Sequence, residues 1–216
     1  MSSKPTRSRG APSKGTLSSE ARSKSAGDAG DTSGGDPEQL ARTIVLRQLT
    51  GQPRSRSELE QALRRRDVPE DVIEGVLGRF TDVGLIDDAA FARSWVESRH
   101  AGRGLARRAL AHELRRRGVG DQEVGDAVDQ LSPETELATA RALVARKLAA
   151  TRNLDGRTRV RRLAAMLARK GYPPGLSVRA VREALDEESD EDQRAAVEEF
   201  AGALESMETG VEPEDR

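Results

Sequence analysis

The stretch LRRRGVGDQEVGDAVDQL at residues 114–131 decides the fold, because the same pattern occurs twice more in the chain. LRRRDVPEDVIEGVLGRF begins at Leu63, and LARKGYPPGLSVRAVREAL begins at Leu167 and needs one inserted residue. In each copy a Leu, a mostly basic run and a turn residue precede a helix with apolar residues at i, i+3 and i+7. These residues are Ile73, Val76 and Phe80; Val124, Ala127 and Leu131; and Val178, Val181 and Leu185. A repeat of this kind indicates stacked helical units.

A further amphipathic helix precedes each copy, over residues 37–49, 88–99 and 133–150. We therefore predict an all-α fold, an elongated and curved array of three tandem three-helix repeats over residues 37–86, 87–131 and 132–186. Residues 1–36 are rich in Ser, Gly, Pro and basic residues, which predicts a disordered tail. Residues 187–216 form an acidic tail, in which we expect at most one frayed helix.

Capping residues set the predicted helix starts. Asp36-Pro37 and Ser132-Pro133 each place a capping residue before a proline at the first helical position. Residues 57–60 read as a capping box, and we assign Asp87 and Asp88 entirely to the start of a helix. The Phe91, Trp95 and Leu114 side chains are expected in the core.

The charge is segregated along the chain. Residues 37–185 hold 28 basic and 20 acidic residues, whereas the last 31 residues hold thirteen acids and two arginines. A basic body favours an acidic partner, either nucleic acid or protein. The alternative is that part of the arginine excess reflects a GC-rich genome, because Arg outnumbers Lys 31 to 5.

Composition excludes several classes of protein. There is no cysteine, and therefore no disulfide or thiolate zinc site. No apolar run has the length of a membrane span, and the N-terminus does not resemble a secretory signal, so we expect a cytoplasmic protein. Aromatic residues are only 2% of the chain, which favours thin, repeated cores over one thick core.

No motif indicates catalysis. His100 and His112 lack partners at metal-ligand spacing and are expected on the surface. Gly102-Arg103-Gly104 lacks the ending of a phosphate loop and reads as a turn between helices. We predict a protein that is not an enzyme and has no metal or cofactor.

Two predicted helices carry basic faces. In residues 104–117, Ala106, Leu110 and Leu114 share one side, and in residues 157–170, Val160, Leu163 and Leu167 do so. The opposite sides are basic and occupy equivalent places in successive repeats, so together they can form one stripe that contacts phosphates or an acidic protein surface. An ordinary solvated face stays an alternative. The candidate contact residues are Arg103, Arg107, Arg108, Arg115, Arg116, Arg161, Arg162, Arg169 and Lys170.

Residues 84–119, GLIDDAAFARSWVESRHAGRGLARRALAHELRRRGV, resemble the central signature of the RecX family, the bacterial regulators of the RecA recombinase. The matching residues, in order, are Leu85, Ile86, Asp87, Asp88, Phe91, Ala92, Trp95, Arg99, Leu114, Gly118 and Val119. The resemblance covers residues 38–185, is weakest in the third repeat and includes neither tail.

The resemblance implies three three-helix repeats that bind along the groove of a RecA filament on single-stranded DNA. It further implies inhibition of ATP hydrolysis, strand exchange and filament extension, in DNA recombination, repair and the SOS response. We expect a monomer that contacts DNA at most weakly. The alternative is a helical repeat protein that binds nucleic acid by itself, although the scarcity of aromatic side chains argues against tight binding to naked single strands.

Overall fold

The computed structural model describes residues 36–186 and 191–209, with side chains described over residues 36–186 and 194–207. Within those ranges the chain forms ten α-helices and no strand. The predicted disorder of the N-terminal tail concerns residues outside the described ranges, apart from residue 36. The helices are α1 Pro37–Gly51, α2 Arg56–Arg64, α3 Glu70–Asp82, α4 Asp88–Arg103, α5 Arg107–Arg116, α6 Asp121–Asp129, α7 Pro133–Thr151, α8 Gly156–Arg169, α9 Pro174–Asp186 and α10 Glu191–Thr209.

The helices pack in threes, as the repeat predicts. α1–α3, α4–α6 and α7–α9 each enclose a separate apolar core. The i, i+3, i+7 residues point into these cores, and all of them are buried except Phe80, which is half-buried. The prediction of an all-α fold of three tandem three-helix repeats is confirmed.

Helix starts follow local capping chemistry. The Asp36 carboxylate accepts the Glu38 backbone N–H at 3.0 Å, and the Ser132 hydroxyl accepts that of Thr135 at 3.2 Å. The predicted capping box at residues 57–60 is wrong. Ser55 caps α2, and the box closes with Glu58, whose carboxylate accepts the Ser55 N–H. The Ser55 hydroxyl accepts the Glu58 N–H and also donates to the Arg117 carbonyl of the second repeat, a tertiary contact that the local pattern does not display.

The first two repeats meet where the start of α2 touches the α5–α6 turn. The Ser55 hydroxyl donates to the Arg117 carbonyl at 2.6 Å. The Arg56 backbone N–H donates to the Asp88 carboxylate at 2.8 Å. An orphan N–H at the start of one helix is thus satisfied by the next repeat.

The second and third repeats meet in the equivalent way. The Ala106 N–H donates to the Lys170 carbonyl at 2.9 Å, and the Arg107 N–H donates to the Glu136 carboxylate at 2.9 Å. The Tyr172 hydroxyl adds a hydrogen bond to the Gly104 carbonyl at 3.1 Å. Both junctions therefore join the start of a second helix to the turn that ends the second helix of the following repeat.

The acidic C-terminal region contains a packed helix instead of the frayed one expected. α10 lies against α8 and α9, and its Ala196 and Val197 join the third core. Arg157 pairs with Glu199 at 2.7 Å, and Arg182 pairs with Glu198 at 2.9 Å. Basic residues of the third repeat thus hold an acidic helix whose apolar face covers their own core.

Candidate nucleoprotein-binding surface

The second helix of the middle repeat, α5, has the basic face that its periodicity predicts. Ala106, Leu110 and Leu114 are fully buried. Arg108, Arg115 and Arg116 are exposed on the other side. The Arg115 guanidinium also pairs with Asp121 at 2.7 Å, at the start of α6.

The corresponding helix of the third repeat, α8, is built alike. Val160, Leu163 and Leu167 are buried. Arg161, Arg162 and Arg169 are exposed, and none of the three forms an ion pair with a residue that the structure describes.

Two of the nine candidate contact residues are also structural. Arg107 is half-buried, and its guanidinium pairs with Asp129. The Lys170 ammonium donates to the Arg103 carbonyl at 2.5 Å, which ties the α8–α9 turn to the end of α4. Because both groups hold neighbouring elements together, their positions are more constrained than those of Arg108 or Arg161.

Trp95 is not the enclosed core residue that the sequence predicts, because it is only half-buried. The Arg99 and Arg117 guanidinium carbons lie 4.0 and 3.7 Å from the centroid of its ring. Its indole N–H donates to the Glu113 carboxylate at 3.0 Å, and Arg117 also pairs with Glu58 of the first repeat at 2.5 Å. Trp95 therefore lies in a cationic cluster at the junction between repeats.

A basic groove runs between the first and second helices of every repeat. In the middle repeat it contains Trp95 and is lined by Arg103 and Arg116. In the third repeat Arg162 and Arg169 line it together with Lys147. In the first repeat Arg47, Arg54, Arg65 and Arg66 line it. The structure thus brings Arg103 close to Arg116 and Arg162 close to Arg169.

Sequence reasoning missed the basic residues of the first repeat. The signal was available, because Arg65, Arg116 and Arg169 each lie two residues before the turn residue of their repeat. Their grouping with Arg47 and Arg54 across α1 and α2 depends on tertiary packing, which no local pattern displays.

His100 is not on the surface as expected. It is 9% exposed, with Nδ1 2.9 Å from the Leu105 carbonyl and Nε2 2.8 Å from the Thr139 hydroxyl. Nε2 joins α4 to α7 of the third repeat, and Nδ1 contacts the segment between α4 and α5, so His100 is a structural residue at the second junction. His112 is exposed.

Asp88 does more than start a helix. Asp87 caps α4 by accepting the Ala90 N–H at 2.8 Å, whereas Asp88 accepts the Arg56 N–H from the first repeat. Burial raises the pKa of the Asp88 carboxyl, although the Arg56 hydrogen bond opposes that shift. The assignment of both carboxylates to one helix start is therefore wrong for Asp88.

Within the described ranges, no group of three or more His, Asp or Glu residues could hold a metal ion. Burial raises the pKa of Tyr172 to about 12, with Glu136 adding to the shift, so this phenol stays a hydrogen-bond donor at neutral pH. No helix within those ranges has the length and apolar character needed to cross a membrane.

Comparison with known proteins identifies the architecture. Models of the first, second and third three-helix domains of RecX match residues 41–80, 87–128 and 134–181. Each match lies within one of the repeats defined above.

Curated relatives cover most of the same region. The regulatory protein RecX of Streptomyces coelicolor is 58% identical over 165 residues, which are 76% of this chain and 88% of that protein. The regulatory protein RecX of Thermobifida fusca is 61% identical over 155 residues, which are 70% and 84% of the two chains. These relatives are actinobacterial, which fits the arginine-rich composition.

Solved structures agree on the fold. The crystal structure of RecX from Lactobacillus salivarius superposes with a TM-score of 0.65 at 21% identity, covering 68% of this chain and 96% of that one. A second crystal structure of a regulatory protein RecX gives a TM-score of 0.60 at 28% identity, covering 65% and 70%. With three matched domains, close relatives and a shared fold, this chain belongs to the RecX family of regulatory proteins.

Proposed function

We propose that this protein binds the RecA recombinase filament on single-stranded DNA and slows its ATP hydrolysis, strand exchange and extension. The observation that carries the proposal is the pair of equivalent helices α5 and α8, each buried on one side and arginine-rich on the other. A helical filament offers phosphates and protein carboxylates at regular intervals, and a repeat array can meet such intervals with equivalent surfaces.

The contact surface proposed is the outward side of α5 and α8 with the adjoining turns. It consists of the nine candidate residues. Those whose guanidinium groups form no ion pair with any described residue are Arg103, Arg108, Arg116, Arg161, Arg162 and Arg169. A guanidinium without an intramolecular carboxylate can bind an anion without first breaking an ion pair. In this proposal the protein acts in the cytoplasm as a monomer, and its role is regulatory and non-catalytic.

The first experiment titrates this protein into ATP hydrolysis by the cognate RecA on single-stranded DNA. We expect inhibition well below one molecule per recombinase subunit, because a regulator that stops extension acts at few sites. Unchanged hydrolysis at an excess of folded protein would contradict the proposal. A parallel anisotropy measurement with labelled single-stranded DNA alone tests the alternative, because autonomous nucleic-acid binding requires comparable affinity without recombinase.

A charge-reversal pair locates the surface. The Arg108→Glu and Arg115→Glu double variant should weaken filament binding and flatten its salt dependence while helicity stays intact. The matched control, Arg93→Glu with Arg146→Glu, makes the same charge change on the first helices α4 and α7, where both side chains are exposed. Equal losses in both double variants would indicate a net-charge effect and remove α5 from the proposed interface.

A further inference from the structure

The three basic grooves are equivalent in position but differ in what they contain. Five residues before the turn residue, the second helix has Ala62 in the first repeat, Glu113 in the second and Met166 in the third. All three side chains line the groove of their own repeat. The grooves can therefore be compared position by position.

The middle groove supplies its own aromatic ring and its own carboxylates. Trp95 lies beside Arg99 and Arg117, and Glu113 accepts the indole N–H and lies 3.8 Å from the Arg99 guanidinium. Glu58 neutralises Arg117 from the neighbouring repeat. The cations of this groove that have no ion pair to a described residue are Arg103 and Arg116.

The groove of the first repeat has basic side chains, as the middle groove does, but its described lining includes no aromatic ring and no carboxylate. Its volume is about 680 Å³, and Leu40, Ile44 and Ala62 form an apolar floor. Leu40 is 46% exposed, which leaves aliphatic surface uncovered. Its basic lining consists of Arg47, Arg54, Arg65 and Arg66, and its described lining includes no carboxylate.

Arg54 adds a polar atom that lacks a partner. Its Nε is buried and makes no hydrogen bond, while its Nη1 reaches Glu58 only at 3.8 Å. A buried donor without an acceptor is costly, and an Arg54 side chain that turns toward a ligand carboxylate in the groove gains that acceptor.

The groove of the third repeat has the same character in a volume of about 260 Å³. Leu163 and Met166 provide the apolar surface, and Lys147, Arg162 and Arg169 provide the charge. Its described lining again includes no carboxylate and no aromatic ring. The two outer grooves are thus alike in chemistry and differ from the middle one.

We propose that the outer grooves bind acidic segments of a partner protein, in which an aliphatic side chain is flanked by Asp or Glu. Such a segment brings what the middle groove already contains, an apolar group together with carboxylates. The proposal rests on the proposed function, since the filament's protein component is the partner, and it adds where on the chain that protein binds.

The lining favours a peptide over a nucleic acid. Single-stranded bases are held mainly by stacking on aromatic rings, which neither outer groove offers. Aliphatic floors suit a Leu, Ile or Met side chain, and guanidinium groups bind carboxylates through paired hydrogen bonds.

A photo-crosslinking experiment on the full chain tests this. p-Benzoylphenylalanine is placed at Gln48 in the first groove, at Ala150 in the third, and at exposed Glu74 on α3 as the control. Each variant is irradiated with RecA filaments on labelled single-stranded DNA, after circular dichroism has verified its helicity. We expect at least tenfold more protein crosslinking from the groove positions than from the control, mapping to peptides that combine carboxylates with Leu, Ile or Met.

Other outcomes would overturn the proposal. Crosslinks to the labelled DNA would assign the grooves to nucleic acid, and crosslinks to a second copy of this chain would assign them to self-association. Groove positions no more reactive than Glu74, in variants that still bind the filament, would leave the proposed function standing and remove the grooves from it. If the wild-type chain does not bind filaments at all, both proposals fail together.

A pair of substitution variants gives a second readout. Arg65→Gln with Arg66→Gln removes two exposed cations from the first groove, and neither residue belongs to the nine-residue surface proposed above. Filament affinity should fall at least tenfold, whereas Arg93→Gln with Arg146→Gln should change it less than twofold. Equal effects of the two pairs would overturn the proposal.

Discussion

Gly118 of the second repeat lies directly against Ser57 of the first. A Cβ atom at Gly118 would fall 2.3 Å from the Ser57 Cβ, closer than real side chains approach. Gly118 also has a left-handed backbone, with φ at +75°. Gly171 repeats the arrangement at the next junction, where a Cβ would fall 2.6 Å from the backbone nitrogen of Ala109. The turn residue at each junction is therefore glycine for two reasons, its backbone angle and its contact with the preceding repeat.

In the first repeat the turn residue has the left-handed backbone angle without the close contact. Its turn residue is Asp67, which has a positive φ of 55° and is exposed, and no preceding repeat packs against it within the described residues. Asp tolerates the left-handed region better than most residues, and the exposed Asp67 side chain has room.

Substituting Gly118→Ala tests the contact apart from the backbone strain. The control is Gly84→Ala, because Gly84 has a φ of +73° and nothing within 4 Å of an added Cβ. The control should lose about 1–2 kcal/mol of unfolding free energy from strain alone. Gly118→Ala should lose roughly 1–3 kcal/mol more, since Ser57 must move. Urea unfolding followed by circular dichroism measures both, and equal losses would contradict the close contact.

Arg117→Ala should open the cluster around Trp95. Trp95 is the one tryptophan in the sequence, so tryptophan emission, excited selectively, reports on this junction alone. Loss of the guanidinium exposes the ring to water, and we expect a red shift of emission with a loss of about 1–2 kcal/mol of stability. The adjacent Arg116→Ala removes the same charge from an exposed position and should leave the emission wavelength unchanged. A shift of the same size in Arg116→Ala would contradict the assigned contacts.

Tyr172 should ionise at a higher pH in the folded protein than in the unfolded chain. Its folded pKa of about 12 lies above the ordinary value of 10.0, so the neutral phenol is favoured in the folded state. The stability that this shift contributes is complete below pH 10 and is lost as the pH rises through about 12. Tyr172 is the one tyrosine, so tyrosinate absorbance follows it directly. Absorbance that rises near pH 10 in folded protein, as it should in denaturant, would refute the burial of this hydroxyl.

Arg159→Ala should destabilise the third repeat. The side chain is fully buried, and it donates to the Leu148 carbonyl at 3.2 Å and to the Thr151 hydroxyl at 3.3 Å. Removing the side chain takes a hydrogen-bond donor from both groups and opens a cavity, which should lower the free energy of unfolding by roughly 2–4 kcal/mol. Arg161→Ala, on the exposed side of the same helix, should cost less than about 0.5 kcal/mol. Thermal unfolding compares the two, and similar midpoints would show that Arg159 is not needed for packing.

The sequence by itself determined the repeat and its inward faces. Apolar residues at i, i+3 and i+7, proline-marked helix starts and a shared turn are local patterns, and they place Leu110, Leu114 and Leu167 in the core because helical spacing fixes which side chains share a face. The same periodicity places Arg108 and Arg161 outside.

Only the tertiary structure decided which polar groups form hydrogen bonds between neighbouring repeats. Hydrogen bonds to a neighbouring repeat are formed by His100, Asp88, Arg107 and Tyr172. Trp95 is half-buried, with the Arg117 guanidinium over its ring. Partners 18 to 68 residues away in the chain, as for Trp95 with Glu113 and Tyr172 with Gly104, have no local signature. Their contacts form only when whole repeats stack, because stacking buries the helix ends and each buried polar group must then find a partner.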